Sequence, residues 1–228
     1  MGRAKEIIVK VIPPKIANEF VKKHHYSGKV VPNSQLHFGA FLDGNLHGVM
    51  SYGPSMDKSK LITLVKETKW NEFIELNRMA FDDYLPRNAE SFCIAQSIKL
   101  IKKNAPHIKW IVSFADGCSC GDGTIYRASN FVLTSIKKNT TIKVDEKGNK
   151  VADMTFSAHK PSEMKMFREK YKPLEGFMLR YIYFIDKKSK DKLTVPIIPF
   201  SKIDELGAGM YKGEKVTQAE RHNKKQPE

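Results

Sequence analysis

Cysteine is scarce, three residues in 228, and two of them sit one residue apart in Cys118-Ser119-Cys120. An odd number at that spacing draws no disulfide framework, and no second pair follows to complete a structural zinc site. A reducing cytoplasm is the expected compartment. No apolar run approaches the ~18 residues of a membrane span, and no charged-then-apolar leader opens the chain. Neither a span nor a secretory signal is therefore expected, and no internal repeat is found. Acidic residues are outnumbered, 25 against 39 basic, for a net charge of +14. The excess is spread over both halves of the chain, so it belongs to a folded domain and not to a tail. Such a field attracts polyanions, nucleic acid foremost.

Thirteen Phe and eight Tyr make a sizeable core available. Glu6–Ile12 reads as a strand that Pro13-Pro14 stops, and Ile16, Ala17, Phe20 and Val21 then repeat at helical spacing up to His24-His25-Tyr26 and Gly28. Leu36–Leu42, the turn Asp43-Gly44 and Asn45–Gly53 predict a hairpin. A short helix is expected around Leu61–Lys66. In Phe73–Phe81 both registers are largely apolar, the mark of a strand buried on both faces. A loop over Asp82–Asn88 follows, with Asn88 as helix N-cap, then a helix through Phe92, Ala95 and Ile98. Ile108–Asp116 is a second central strand, followed by a Gly-, Cys- and Asp-rich loop, a short helix TIYRASN and a strand FVLTSI. Strand, helix, strand, helix, strand makes two crossover units, with a site expected at the strand C-terminal ends. Further on come a hairpin turning at Lys-Gly-Asn, a short helix over Pro161–Tyr171, a strand over Phe177–Asp186 and a charged turn at Lys187–Lys190. KLTVPIIPF reads as a strand broken by Pro196 and Pro199. The final stretch from Gly213 is expected as a flexible tail. The division is one domain over 1–200 and a C-terminal segment over 201–228.

Polar residues at strand ends are the site candidates. Asp116 closes a central strand, where it could serve as a base, a metal ligand or the opener of an Asx-turn. Ser113, inside the same apolar strand, lines a site or bonds to backbone. His25 could act as a base or, with Asp116, as a metal ligand. Tyr126 opens the second crossover helix, with its hydroxyl set in the central cleft or its ring serving as a packing aromatic.

ELNRMAFDDYLPRNAES, KWIVSFADG, CGDGTIYRASNFVLT and GAGMYKG resemble the phage Mom proteins, from about Lys23 to Gly213. The order E-L-x-R strand, Pro-Arg loop, helix, strand, Y-x-x-x-x-F resembles the core of GNAT acyltransferases. The resemblance implies an α/β fold: a GNAT-like mixed central sheet flanked by helices, with a C-terminal β-rich elaboration. It also implies a transferase that converts adenine in double-stranded DNA to N6-(carbamoylmethyl)adenine, protecting phage DNA from host restriction in the bacterial cytoplasm. Tyr126 would protonate a leaving group, and Asp116, His25 and Ser113 would share the catalytic work. Arg87, Asn88, Ser91 and Arg78 would hold the donor, and Tyr26, Lys29 and Arg127 the substrate. The donor is acetyl-CoA or another activated group, since plain acetyl transfer does not give that product. Iron on His25 and Asp116 is a further option. Where GNAT proteins carry R/Q-x-x-G-x-G/A, this chain has Glu90 and Phe92, which works against the usual pyrophosphate contact. The alternatives are a GNAT N-acetyltransferase acting on a protein or small amine, and a non-enzymatic basic DNA-binding module. The oligomeric state, homodimer included, is left open.

Overall fold

The computed structural model describes residues 2–152 and 169–223. The chain forms two compact units, one from Met1–Phe114, Gly123–Thr134 and Arg180–Ile198, the other from Ala115–Asp122, Ser135–Leu179 and Pro199–Glu228. Among the described residues no helix is long and apolar enough to cross a membrane.

The first unit begins with β1 (Ile8–Val11), which pairs antiparallel with β2 (Leu36–Leu42). Between them runs α1 (Pro14–His24). Pro13 is extended and Pro14 takes the first helical position, where a missing N–H costs nothing. Ala17 and Val21 of this helix pack on Val49 and Ala80 of the sheet. Asp43 and Gly44 both hold positive φ and fold β2 back onto β3 (Asn45–Gly53), as the Asp-Gly pair predicts. Next in the sheet is β4 (Phe73–Phe81), antiparallel to β3, with the register shifting so that Ser51 faces Arg78 while Tyr52 faces Leu76. Asn77 is the extra residue of a β-bulge, which bends a strand and interrupts its pairing. Accordingly β4 pairs in parallel with β5 (Trp110–Gly117) only over Phe73–Glu75.

The crossover between them is α3 (Ala89–Asn104), whose Cys93, Ile94, Ser97, Ile98 and Ile101 are buried. Tyr52 reaches it with a hydroxyl–hydroxyl bond of 2.7 Å to Ser97. Across the β4–β5 pairing Phe73 and Trp110 stack at 4.3 Å, both fully buried. A side chain of that size contributes roughly 2–3 kcal/mol of hydrophobic stabilisation.

The seven-stranded sheet has the order β1-β2-β3-β4-β5-β10-β6, with β6 at Val132–Lys138 and β10 at Phe177–Phe184. It is the expected mixed sheet flanked by helices, with one correction. The crossover from β5 through α4 (Thr124–Ala128) does not bring β6 beside β5, because β10 lies between them. Two further expectations change. The helix around Leu61–Lys66 is split into α2 (Lys58–Leu61) and a 3-10 turn at Ile62–Leu64, ending where Val65 leaves to bridge Leu193. KLTVPIIPF forms no strand beyond that single bridge, since Pro196 and Pro199 have no N–H to give a ladder.

In the second unit β7 (Ile142–Val144) lies between β8 (Lys150–Ala152) and β9 (Lys172–Pro173). The Lys-Gly-Asn turn forms as expected: Asp145 accepts from the backbone N–H of Lys147 and Asn149, and Gly148 takes positive φ. Buried Asn139 organises the unit, donating to the carbonyls of Ile142 and Leu174 and accepting from the N–H of Thr141 and Ile142. The helix expected over Pro161–Tyr171 falls almost wholly outside the described residues. After α5 (Ser201–Glu205), β11 (Met210–Tyr211) and β12 (Glu214–Lys215) turn through Lys212-Gly213, and α6 (Gln218–Asn223) follows. The stretch from Gly213 to Asn223, expected as tail, is therefore folded. Its anchor is Arg221, whose guanidinium pairs with buried Asp122.

Candidate active site

The site in the first unit is built around the bulge of β4. Arg78, just past it, donates from Nε to the Lys29 carbonyl at 3.0 Å and from Nη1 to the Asn77 carbonyl at 3.1 Å. These bonds tie the strand to the chain that leaves α1. His25 caps α1, and its Nδ1 accepts the Ser27 backbone N–H at 3.1 Å and lies 2.8 Å from the Ser27 hydroxyl. With the Nδ1 lone pair engaged, the neutral ring carries its proton on Nε2. Burial, reinforced by the Arg78 charge, pushes His25 down to about 4, so it is neutral at physiological pH. Tyr26 lies tilted against this ring at 4.3 Å between centroids yet is 54% exposed, and Lys29 is exposed.

Three groups around His25 and Arg78 escaped the sequence reading. Glu75, before the bulge, is pushed upward by burial, with Ser55 and Asn77 pulling it back. Asn77 is buried and its Oδ1 accepts from the Ser34 hydroxyl at 3.2 Å. The signal was there: Glu, Asn and Arg within an otherwise apolar strand need partners. Gly53 permits the close approach, since a Cβ there would lie 2.2 Å from the Asn33 carbonyl oxygen.

On α4, Tyr126 is 7% exposed and its ring tilts against Phe131 and Tyr181 at 5.4 and 5.2 Å. Gly123, the N-cap of that helix, has φ +86, and a Cβ there would meet the Tyr181 ring at 2.4 Å. Arg127, next along, is half-buried. Ser113 of β5 is fully buried and donates to the Leu76 carbonyl at 3.1 Å. It thereby satisfies a strand group beside the bulge.

A cleft of about 590 Å³ lies along α3. Lys5, Arg87, Lys99 and Lys102 line it, with Asn88 and Ser91 at the helix start. Asn88 is the N-cap, but in the left-handed region with no side-chain cap bond, and the Ser91 hydroxyl donates back to its carbonyl. Ser129 also lines the cleft, and among the described residues its buried hydroxyl has no hydrogen-bond partner. Four cations and an unsatisfied hydroxyl fit a phosphate-bearing donor of the coenzyme A kind in charge. Glu90 is exposed and outside the lining, and Phe92 occupies part of the wall.

Asp116 belongs to the second unit, where its carboxylate accepts the N–H of Cys118 at 2.9 Å and of Ser119 at 3.2 Å. It opens the loop as an Asx-turn. Burial and the Asp116 charge push the Cys118 thiol up to about 12, so it is not a thiolate at neutral pH. Among the described residues no three His, Cys, Asp or Glu side chains are grouped to hold a metal ion.

The Mom protein family matches residues 6–202. The chain is 31% identical over 199 residues to the methylcarbamoylase Mom of Escherichia phage Mu, a match covering 85% of this chain and 82% of that one. Among solved structures it is similar to the ribosomal-protein-S18-alanine N-acetyltransferase of Escherichia coli, at 9% identity over 79% of this chain and 94% of that one, TM-score 0.46. It is likewise similar to the Drosophila melanogaster polyamine N-acetyltransferase, at 9% identity, 78% and 100% coverage and TM-score 0.48. On the length and identity of the first two matches, this chain belongs to the Mom protein family.

Proposed function

We propose that the protein is a transferase that modifies adenine in double-stranded DNA to N6-(carbamoylmethyl)adenine, shielding phage DNA from restriction in the cytoplasm of a bacterial host. The observation that carries this reading is the match, over most of both chains, to the methylcarbamoylase of phage Mu. The net charge of +14 supports a polyanionic substrate. In the reaction a bond forms between N6 and the CH2 carbon of the incoming group. N6 loses a proton, and the donor's leaving group departs with its electron pair. N6 is a weak nucleophile because its lone pair conjugates with the ring, and it lies within the base stack, so the base must be flipped out.

Around that chemistry the residues take distinct parts. Neutral His25 presents Nε2–H as a hydrogen-bond donor, and its depressed basicity makes it a poor proton store at neutral pH. Proton transfer is assigned to Tyr126 as acid. Arg78 holds the His25 ring in its neutral form and, with Tyr26, Lys29 and Arg127, faces the DNA. Arg87, Asn88 and Ser91 hold the anionic part of the donor in the cleft along α3. Coenzyme A carrying the CH2 carbon on its sulfur would supply a thiolate leaving group there. The test is to co-express the chain with a plasmid, digest that DNA to nucleosides and weigh them. An adenine heavier by a carbamoylmethyl group is expected, and unmodified adenine throughout would overturn the reading.

A further inference from the structure

A second cavity, about 450 Å³, lies in the first unit where β4 begins. Apolar Ile74 and Ile108 and the fully buried ring of Phe73 line it, while Gln35 and Asn71 offer exposed amides. Trp70 also lines it and is 56% exposed. An indole left this open forgoes hydrophobic burial that the fold could have used. Lys58 sits over two of these rings, its Nζ 4.8 Å from the Trp70 centroid and 5.4 Å from that of Phe73. The neighbouring chain is basic: Lys60 and Lys192 pair with Asp57 and Glu67, but the ammonium groups of Lys58, Lys66 and Lys69 form no salt bridge among the described residues.

We infer that the Trp70 cavity is a docking site for an unpaired nucleotide of the DNA strand, with the base stacked on the indole and its phosphate drawn to Lys58. The inference rests on the DNA-modifying reading above. An open aromatic face within a cationic surface is what sequence-tolerant binding of single strands requires, since every base has a π-face and every nucleotide a charge. Gln35 and Asn71 each carry a donor and an acceptor and can meet a base edge at the rim. Lys58 is held back from full hydration by partial burial, which lowers its basicity, and an incoming phosphate would offset that loss. A base flipped for modification leaves a local stretch of unstacked DNA, which supplies such a nucleotide.

The test uses the two tryptophans of the chain. Trp110 is fully buried, so red-shifted emission reports on Trp70. A short single-stranded oligodeoxynucleotide is titrated into the full chain, with inorganic polyphosphate as the charge-only control. The oligonucleotide is expected to quench the red-shifted emission and the polyphosphate not. Trp70→Ala should weaken oligonucleotide binding roughly 5- to 150-fold, the span covered by stacking of one base on an aromatic ring. Trp70→Phe should restore most of it. Equal quenching by polyphosphate, or Trp70→Ala binding within about twofold of the parent, overturns the inference. Duplex binding by the unaltered chain is measured alongside. Its loss sinks the DNA reading itself, whereas duplex binding that persists while Trp70→Ala changes nothing sinks only this site.

Discussion

Arg221→Met is the substitution whose effect can be worked furthest from the structure. Arg221 is 8% exposed and Asp122 1% exposed. Nη1 donates to Asp122 Oδ1 at 3.2 Å, and Nη2 donates to Oδ2 and to the carbonyls of Met210 at 3.2 Å and Val216 at 3.4 Å. Without the guanidinium, the Met210 N–H remains near the carboxylate at 3.4 Å. Removing one partner of a buried pair strands the other, at a cost of about 3–5 kcal/mol. Replacing both, as in Asp122→Leu/Arg221→Met, should cost clearly less than either single change, because no buried charge is left behind. Thermal melting followed by circular dichroism gives the magnitude. Hydrogen exchange at the Asp122 and Met210 amides gives the location, since Asp122 N–H donates to the Met210 carbonyl at 2.9 Å. A single mutant that melts with the parent and keeps both amides protected would show that α6 does not lock the loop of Asp116–Asp122, and the reasoning would fall.

Tyr126→Phe removes one hydroxyl and keeps a ring that packs on Phe131 and Tyr181. If the phenol transfers a proton, modified-adenine yield should drop by roughly 10²–10⁴ in rate, with melting and DNA affinity retained; near-normal yield from folded protein refutes the assignment. His25 is neutral in the fold down to about 4, against an ordinary value near 6.5. Its burial therefore contributes no penalty above about pH 6.5, and roughly 3 kcal/mol of stability is lost as pH falls from there towards 4. In urea unfolding, His25→Gln should show a shallower loss over that window, and parallel curves would count against the buried neutral ring. Acetyl-CoA should bind weakly, because Phe92 takes up part of the cleft wall against which its pyrophosphate would lie. Sub-micromolar affinity by calorimetry would contradict this.

Local chemistry made the early elements legible. Pro13-Pro14 fixes where β1 stops and α1 starts, and Asp43-Gly44 fixes the hairpin, since both act through their own φ and ψ. What the sequence hid depends on partners far along the chain. The bulge at Asn77 exists only relative to β3, so FIELNRMAF reads as an unbroken strand. β10 enters between β5 and β6 because of pairing that no single stretch records. VPIIPF has strand composition, but its prolines lack the donors that a ladder needs. The polar positions show the same division. Asp116, Tyr126, His25 and Arg78 stood out by residue type and place. Glu75, Asn77 and Ser55 did not, because their meaning comes from burial beside one another.

The second unit is assembled from three separated pieces of chain, and that has a bearing on how the protein is made. Asp122 leaves the ribosome 99 positions before Arg221. At roughly 5–20 residues per second, the carboxylate waits about 5–20 s for its cation. For much of that interval the first unit too is incomplete, since its last piece is Arg180–Ile198. Nascent chains stalled between Asp122 and α6 therefore carry an acid destined for burial without the guanidinium that faces it in the fold. A stop codon placed at or before Arg221 should yield protein that is degraded or aggregates and not a shortened enzyme.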